Sequence, residues 1–169
     1  MIKLKIEEIN NNEFLPFGHL IQKKNSKDEF IINQGTTKRF HEISELDLYL
    51  EKGRPFISIF EGSPRPKPII IKILEKHPLG SQTFLPVQDY KWLTVVASEI
   101  NGLPDLESLR CFSLNGNTGI TYKKNIWHHP LLVFKKQDFW VVDRVNNDED
   151  KFKNLIEYNF KDDEIFSIY

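Results

Sequence analysis

Two polar residues stand at the end of an apolar segment, just before the turn Pro78–Gly80. Side chains of a strand alternate between its faces, so Glu75 and His77 share one face and Lys72 and Lys76 share the other. We expect the lysine face to meet water, which would turn Glu75 and His77 inward. Because burying a carboxylate or an imidazole alone is unfavourable, such a pair is typical of a polar pocket. The alternative is a strand that frays into solvent at Glu75, and the sequence leaves both open.

Gln82 follows the turn and adds an amide to this group. It begins a predicted strand in which Gln82 and Phe84 share a face, and if that face is the inner one, Gln82 approaches His77. The order of the three groups is similar to the first metal-binding motif of the cupins, with Glu75 in place of its first His and Gln82 in place of its Glu. The histidine-rich site is not kept, although carboxylate, imidazole and amide can all ligate a divalent ion.

A second cluster, Trp127-His128-His129, follows the turn-rich segment Asn115–Gly119. Neighbouring residues of a strand face opposite sides, so at most one of the two histidines would face a pocket. The second cupin motif places a His three residues after a turn glycine, and Asn125 can replace that glycine because Asn tolerates the left-handed backbone region. This register selects His128 and predicts a structural role for His129. The alternative is a surface histidine pair beside a buried tryptophan.

A third candidate is the segment that contains Arg39 and His41. Alternation places these two side chains on one side and Phe40 on the other. The planar guanidinium of arginine is suited to binding a carboxylate. The alternative is a surface strand with an ordinary ion-pairing arginine, and the same reading applies to Arg65 and Arg144.

Short segments with period-two alternation, separated by Gly, Pro and Asn, predict an all-β fold. Many short strands favour a β-sandwich or a barrel, because pairing or closing the sheets removes exposed edges. Helical signals are few and predict single turns at Asn11–Leu15 and Asp105–Leu109 and a short amphipathic piece at Ser44–Leu50. The predicted strands are Ile2–Ile6, His19–Lys23, Phe30–Asn33, Phe56–Phe60, Ile69–His77, Gln82–Pro86, Trp92–Ser98, Leu131–Lys135 and Phe139–Arg144.

The charge balance argues against two classes of partner. Lys+Arg 23 and Asp+Glu 24 give a net charge of -1, which offers no basis for binding nucleic acid or an anionic membrane. The longest apolar runs, such as Pro68–Ile71 and Leu131–Phe134, are far shorter than the roughly 20 residues that a membrane-spanning helix needs. The sequence contains no phosphate-cradling, dinucleotide-binding or nucleophile-elbow motif, which removes the main support for a kinase, a dehydrogenase or a serine hydrolase.

The length of 169 residues suits a single domain over 1–169, in which 146–169 form a C-terminal loop and tail packed on it. The charged stretch Asn146–Lys153 is expected to be a solvated loop. The single cysteine, Cys111, cannot form an internal disulfide and has no base beside it, so a packing role is expected. The alternating N-terminus reads as mature structure and not as a signal segment, so we expect a cytoplasmic protein.

Four strings, taken in this order and spacing, resemble the ureidoglycolate lyase family of the cupin superfamily, and the likeness spans roughly residues 2–145. The chain departs from the family's habit at Glu61, where members tend to carry Arg, and after Arg144, where members tend to carry glycines. The first departure would alter a charge near the pocket mouth. The strings are INQGTTKRFHEI at 32–43, LEKHPLGSQTFLPV at 74–87, GNTGITYKKNIWHHPL at 116–131 and DFWVVDR at 138–144.

The resemblance implies a cupin-like β-barrel or double-stranded β-sandwich, a homodimer and a reaction. The reaction is elimination of urea from (S)-ureidoglycolate to give glyoxylate, in the degradation of allantoin and other purine products. Two alternatives stay open: a non-catalytic cupin that binds a small carboxylic acid, and a different reaction, such as a ureidoglycolate amidohydrolase that releases ammonia. Assaying urea, glyoxylate and ammonia separately distinguishes them.

Roles follow from this chemistry. The reaction needs a base, an acid and a cationic anchor for the carboxylate. His77 and His128 are the candidate base and acid, in either order, because imidazole suits both transfers near neutral pH. Arg39 is the preferred anchor, and the other candidate substrate-binding residues are His41, Gln82 and Tyr122.

A metal-assisted version is also compatible with these residues, and it explains the cupin-like spacing. His77, Gln82 and His128 would then hold one divalent ion, for example Ni²⁺ or Zn²⁺, which would lower the pKa of the substrate hydroxyl. Glu75 would complete the ligand set or orient His77.

Overall fold

The computed structural model describes residues 1–145 and 153–169, and its strands confirm the predicted all-β class. Helical structure in these residues is limited to the turn α1 (Asn11–Phe14) and short 3-10 turns at Lys23–Asn25, Asn33–Gly35, Leu50–Lys52 and Leu106–Ser108. The strands are β1 (Ile2–Lys3), β2 (Ile6–Glu8), β3 (Gly18–Ile21), β4 (Asp28–Ile32), β5 (Thr37–His41), β6 (Arg54–Gly62), β7 (Ile69–Ile71), β8 (Ile73–Lys76), β9 (Gln82–Pro86), β10 (Trp92–Ala97), β11 (Glu99–Ile100), β12 (Leu103–Pro104), β13 (Arg110–Leu114), β14 (Gly119–Tyr122), β15 (Trp127–His128), β16 (Leu132–Val133), β17 (Gln137–Val145), β18 (Ile156–Asn159) and β19 (Phe166–Ile168).

Three sheets build the body of the molecule. The central one has seven strands in the order β18-β8-β15-β10-β13-β2, with β16 also paired to β10. A five-stranded sheet has the order β3-β14-β9-β17-β6, and a three-stranded sheet has the order β1-β19-β7. The sheets of the described residues do not close into a barrel, so the sandwich form of the predicted fold is the one observed.

Strand β10 shows how the central sheet is buried on both faces. Leu93 and Val95 belong to one hydrophobic cluster, which includes Ile71 and Ile168 of the three-stranded sheet. Trp92 and Val96 belong to a second cluster, together with Phe84, Ile120, Phe139 and Val141 of the five-stranded sheet. Because side chains alternate along β10, this strand contributes to two hydrophobic cores, one on each side of the central sheet.

The predicted strand Ile69–His77 is divided at Lys72, which is exposed. β7 pairs in the three-stranded sheet and β8 in the central sheet, so the buried set changes from Ile69 and Ile71 to Leu74 and Lys76. The prediction that the lysine face meets water is wrong for Lys76. This side chain is 5% exposed, forms an ion pair with Glu99 and lies 4.7 Å from the centre of the Trp127 ring.

The predicted helical piece Ser44–Leu50 is also wrong, because 42–49 contain no regular structure. Tertiary partners take the backbone groups that a helix would use: Ser81 N donates to Asp47 O at 2.8 Å, and Arg144 Nη2 donates to Leu50 O at 2.6 Å. The segment is an extended strap. The predicted turns at Asn11–Leu15 and Asp105–Leu109 are present as α1 and the 3-10 turn at Leu106–Ser108.

The C-terminal tail is part of the sheets. β18 pairs with β8, and β19 pairs with β7 and β1. Of the predicted solvated loop Asn146–Lys153, residues 146–152 lie outside the described residues. No helix among the described residues is long and apolar enough to cross a bilayer.

Candidate functional site

A cavity of about 520 Å³ lies between the central and the five-stranded sheets. It is the space left where the second hydrophobic cluster ends and polar side chains begin. Its walls combine apolar rings with a few convergent polar groups, as ligand sites usually do. The lining residues are Phe60, Glu61, Gly62, Ser63, Arg65, Glu75, Phe84, Trp92, Leu93, Tyr122, His128, His129, Pro130 and Leu131.

Sheet register brings Glu75 and His128 together on one wall. The two residues are paired across the antiparallel strands β8 and β15, so their side chains leave the sheet on the same face. Asn125, which precedes β15, has a φ of 66° and so adopts the left-handed region, as predicted. Its backbone N donates to His77 O at 2.8 Å. The ring centres of His77 and His128 lie 5.3 Å apart.

Backbone carbonyls fix the tautomers of both rings. His77 Nδ1 donates to Asn154 O at 2.7 Å, and His128 Nδ1 donates to Ile126 O at 2.9 Å. In a neutral imidazole the other nitrogen is then an acceptor. Nε2 of each ring is buried without a hydrogen-bond partner, so two lone pairs point into one small space.

The carboxylate of Glu75 completes this cluster. Its Oε1 lies 3.6 Å from His128 Nε2 and 3.9 Å from His77 Nε2. One ligand atom from each of Glu75, His77 and His128 falls within 4.8 Å of the others, a spacing that fits a metal ion. Histidines that bind metals commonly donate their second nitrogen to a carbonyl, which both rings do here.

Burial sets the protonation states. It lowers the pKa of His128 to about 3, with a further contribution from neighbouring His77. It also lowers the pKa of His77, so both rings are neutral near pH 7. Burial raises the pKa of Glu75 to about 7, and the charge of Glu157 adds to this effect. The cluster thus presents two neutral bases and one carboxyl group that holds its proton up to neutrality.

Two residues of the five-stranded sheet lie next to the two histidines of this cluster. Gln82 is buried and pairs with Tyr122 across β9 and β14, so the two side chains leave the sheet on the same face. Tyr122 lines the cavity, whereas Gln82 lies beside His77 and does not line it. The Tyr122 ring stacks on His128 with centres 4.2 Å apart, and its hydroxyl is hydrogen-bonded to Thr94 Oγ1 at 2.5 Å. Gln82 Oε1 has no partner.

Asp143 is a site residue that sequence reasoning missed. Burial raises its pKa, while a hydrogen bond from Gln82 and the charge of His77 lower it, so it stands beside both groups. It shares the inward face of β17 with the buried Phe139 and Val141. Alternation within the predicted strand Phe139–Arg144 carried this signal.

Arg39 and His41 lie elsewhere. Both belong to the β4–β5 hairpin, which pairs only with itself, and neither lines the cavity. The His41 ring is in contact with the ring of Phe30, and its Nε2 lies 3.3 Å from Glu42 Oε1. The structure of one chain therefore does not bring these two predicted residues to the others.

His129 and Arg65 line the cavity, although the sequence indicated an ordinary role for each. Strand alternation does not apply to His129, because β15 ends at His128, and both histidines face the cavity. His129 Nδ1 donates to Pro130 O at 2.6 Å, and its Nε2 is buried without a partner. Burial, with a smaller contribution from the charge of Arg65, lowers the pKa of His129 to about 4.

Comparison with known proteins gives a consistent result. A model of the ureidoglycolate lyase family matches residues 1–165. A ureidoglycolate lyase of Burkholderia mallei (strain NCTC 10229) is 42% identical over 145 residues, which cover 85% of this chain and 84% of the relative. Another, of Pseudomonas fluorescens (strain Pf0-1), is 39% identical over 165 residues, which cover 97% and 95% of the two chains. A third, of Brucella anthropi, is 38% identical over 160 residues, covering 94% and 90%.

Proposed function

The chain belongs to the ureidoglycolate lyase family, and we propose that its cavity eliminates urea from (S)-ureidoglycolate to give glyoxylate. The observation that carries this proposal is the convergence of Glu75, His77 and His128 within 4.8 Å at the cavity wall. The substrate is a carbinolamide whose central carbon bears a hydroxyl, a carboxylate and the urea nitrogen. Its cleavage needs proton transfers at two neighbouring atoms, which a compact cluster of bases and an acid can perform.

The protonation states suggest how the transfers are divided. Neutral His77 and His128 each present an Nε2 that can accept the hydroxyl proton as the aldehyde forms. Without a bound metal, the protonated carboxyl of Glu75 can donate to the departing urea nitrogen, since its pKa is about 7. The acid is then Glu75, and one of the two histidines is the base. Gln82 Oε1 is a free acceptor for a ureido N–H.

We also propose that the same cluster holds one divalent ion, such as Ni²⁺ or Zn²⁺. The unpartnered Nε2 atoms of His77 and His128 fit this role, with Glu75 as a third ligand. Gln82, beside His77, is the proposed further ligand. When bound, the ion would polarise the substrate hydroxyl and lower its pKa. Glu75 would then be ionised and serve as a ligand. Activity that disappears on chelation and returns on adding the ion supports this version, while unchanged activity rejects it.

The lyase proposal is tested by product analysis. Purified protein is mixed with ureidoglycolate, and urea, glyoxylate and ammonia are measured separately. Urea with stoichiometric glyoxylate is expected. Ammonia would indicate a hydrolase instead, and no product would leave a protein that only binds a small carboxylic acid.

Other parts of the proposal concern context. A role in purine and allantoin degradation, a cytoplasmic location and a single catalytic domain over 1–169 remain proposals that rest on the family. Tyr122 is proposed as a substrate contact through its ring, because its hydroxyl already bonds Thr94. Arg39 and His41 stay predicted substrate-binding residues that would require the β4–β5 hairpin of a second copy.

We propose that the chain forms a homodimer through the outer face of the five-stranded sheet. Ile57, Ile59 and Trp140 are 63%, 58% and 48% exposed there, and Phe30 and Ile31 of the projecting hairpin are also exposed. Contiguous apolar surface of this kind marks a protein contact. Light scattering should give twice the chain mass for the native protein and the monomer mass for Ile57→Lys. A monomeric native protein would reject the proposal.

A further inference from the structure

The substrate carboxylate needs a cation, and the charged groups that line the cavity are Glu61, Arg65 and Glu75. Glu61 is paired at the rim with Lys136, whose Nζ lies 2.9 Å from Glu61 Oε1. Glu75 belongs to the histidine cluster. Arg65 is therefore the cationic side chain among the described lining residues, and no ion pair occupies it within the described part of the chain.

The other arginines considered for this role are placed differently. Arg144 is buried and donates to the carbonyls of Leu48 and Leu50, so its guanidinium supports the strap. Arg39 lies on the β4–β5 hairpin, away from the lining residues. Arg65 thus combines access to the cavity with a guanidinium that faces solvent.

Local sequence holds Arg65 in place. It stands between Pro64 and Pro66, and each proline restricts its own φ and the conformation of the residue before it. Upstream, a Cβ on Gly62 would lie 3.1 Å from side-chain atoms of Leu131 and Val133, so the end of β6 packs closely on the segment that follows His129. The arginine is therefore carried by a restrained loop beside the second cavity histidine.

His129 gives this region a second polar function. Its Nδ1 donates to Pro130 O, which leaves Nε2 as a buried acceptor without a partner on the same cavity. A guanidinium next to an acceptor matches a ligand that carries a carboxylate and a hydrogen-bond donor on adjacent atoms. Ureidoglycolate has both.

We propose that Arg65 binds the substrate carboxylate at the cavity mouth. His129 Nε2 then accepts a hydrogen bond from a donor group on the substrate carbon next to that carboxylate. This assignment rests on the proposed lyase function and orients the C–N bond toward Glu75, His77 and His128. Arg65 acts on binding and not on proton transfer. The site therefore selects α-substituted carboxylic acids over neutral amides.

The test uses Arg65→Gln, with Lys67→Gln as the matched control, because Lys67 is an exposed cation of the same proline-rich segment that does not line the cavity. Arg65→Gln should raise KM for ureidoglycolate and the inhibition constant of glyoxylate by about 10- to 100-fold, with kcat within about threefold. Inhibition by urea, which is neutral, should not change. The KM and the glyoxylate inhibition constant of Arg65→Lys should lie between those of native protein and Arg65→Gln, since an ammonium lacks the planar fork of a guanidinium.

Unchanged KM and glyoxylate inhibition in Arg65→Gln would overturn the proposal. An equal increase of both constants in Lys67→Gln would do the same, and so would an increase found only in Arg39→Gln. Calorimetric titration of glyoxylate into native protein and Arg65→Gln separates this inference from the lyase function. If native protein releases no urea, the function fails. Glyoxylate binding that Arg65→Gln weakens would still support the carboxylate site, and equal binding by both proteins would reject it.

Discussion

Three histidines at or next to the cavity are held in the same way, two of which, His128 and His129, line it. His77, His128 and His129 each donate Nδ1 to a backbone carbonyl and leave Nε2 unpartnered. Position, and not tautomer, separates their roles. The first two lie with Glu75 in one cluster, whereas His129 lies beside Arg65.

Alanine substitution should separate the two adjacent histidines. His128→Ala removes a base or ligand and should lower kcat/KM by at least about 10²-fold. His129→Ala should keep kcat within about tenfold while reducing stability, because it leaves a hole in a buried wall. Steady-state kinetics and urea denaturation of both variants give the measurements. Loss of turnover in His129→Ala alone would contradict the assignment.

Metal binding should be visible as stabilisation. An ion that binds only the folded chain raises the free energy of unfolding by about 2.7 kcal/mol at 100 times its dissociation constant. Thermal unfolding with Ni²⁺ or Zn²⁺ should therefore shift upward in native protein. The shift should be lost in His77→Ala and kept in His19→Asn, where the removed imidazole lies outside the cavity lining. A shift that His77→Ala retains would point to a different site.

At the scale of elements, the sequence predicted what depends on local pattern. Alternation and turn residues identified the strands that contain Gln82 and Trp92, and Asn125 was expected in the left-handed region that it adopts. Strand β14 was missed because Gly119 and its neighbours read as a turn, and β19 because its three residues are too few for a period. These strands depend on partners distant in sequence.

The change of sheet at Lys72 shows the same limit. One continuous period over 69–77 correctly paired Glu75 with His77, because both lie after the break. It misplaced Lys76, whose burial depends on Glu99 and Trp127. A side chain can be assigned to a face from its period, but which face is buried is decided by the sheets that pack on it.

The strap 44–50 illustrates an element to which one buried side chain adds hydrogen bonds. Arg144 is 6% exposed and donates to Leu48 O and Leu50 O. Space around it is filled: a Cβ on Gly53 would lie 2.2 Å from Arg144 Nε, and one on Gly80 would lie 2.6 Å from Arg144 Cδ. The guanidinium thus joins the strap to the turn that precedes Gln82.

Removing this side chain should destabilise the fold. Arg144→Ala removes the donor to the buried Leu48 O and one of two donors to Leu50 O, which Gly53 N also contacts. A buried group left without a donor costs about 1–3 kcal/mol. We expect a loss of about 2–4 kcal/mol in the free energy of unfolding. Arg54→Ala, at an exposed arginine of β6, should change it by less than about 0.5 kcal/mol. Similar values for the two variants in chemical denaturation would refute the role of Arg144.

At the scale of the molecule, the central sheet serves two cores and the cavity lies at the margin of one of them. The candidate catalytic groups there are buried by the same packing that stabilises the fold. Burial keeps the histidines neutral by lowering their pKa, and it raises the pKa of Glu75 and Asp143. The two kinds of group therefore give the free energy of unfolding opposite pH dependences. Lowering the pH destabilises the folded state through the histidines and stabilises it through the two carboxyl groups.

His129 allows one of these contributions to be measured alone. A histidine of the unfolded chain has a pKa of about 6.5. Burial lowers the pKa of His129 in the folded chain to about 4. Its contribution to stability is fully present above about 6.5 and is lost as pH falls toward about 4, because only the unfolded chain takes up the proton in that window. The free energy of unfolding, measured by urea denaturation with chelator present, should gain less as pH rises through this window in His129→Gln than in native protein. The difference should approach about 1.4 kcal/mol per pH unit within the window. Parallel pH profiles for the two proteins would mean that the pKa of His129 is the same in the folded and the unfolded chain, which would contradict the lowering of this pKa by burial.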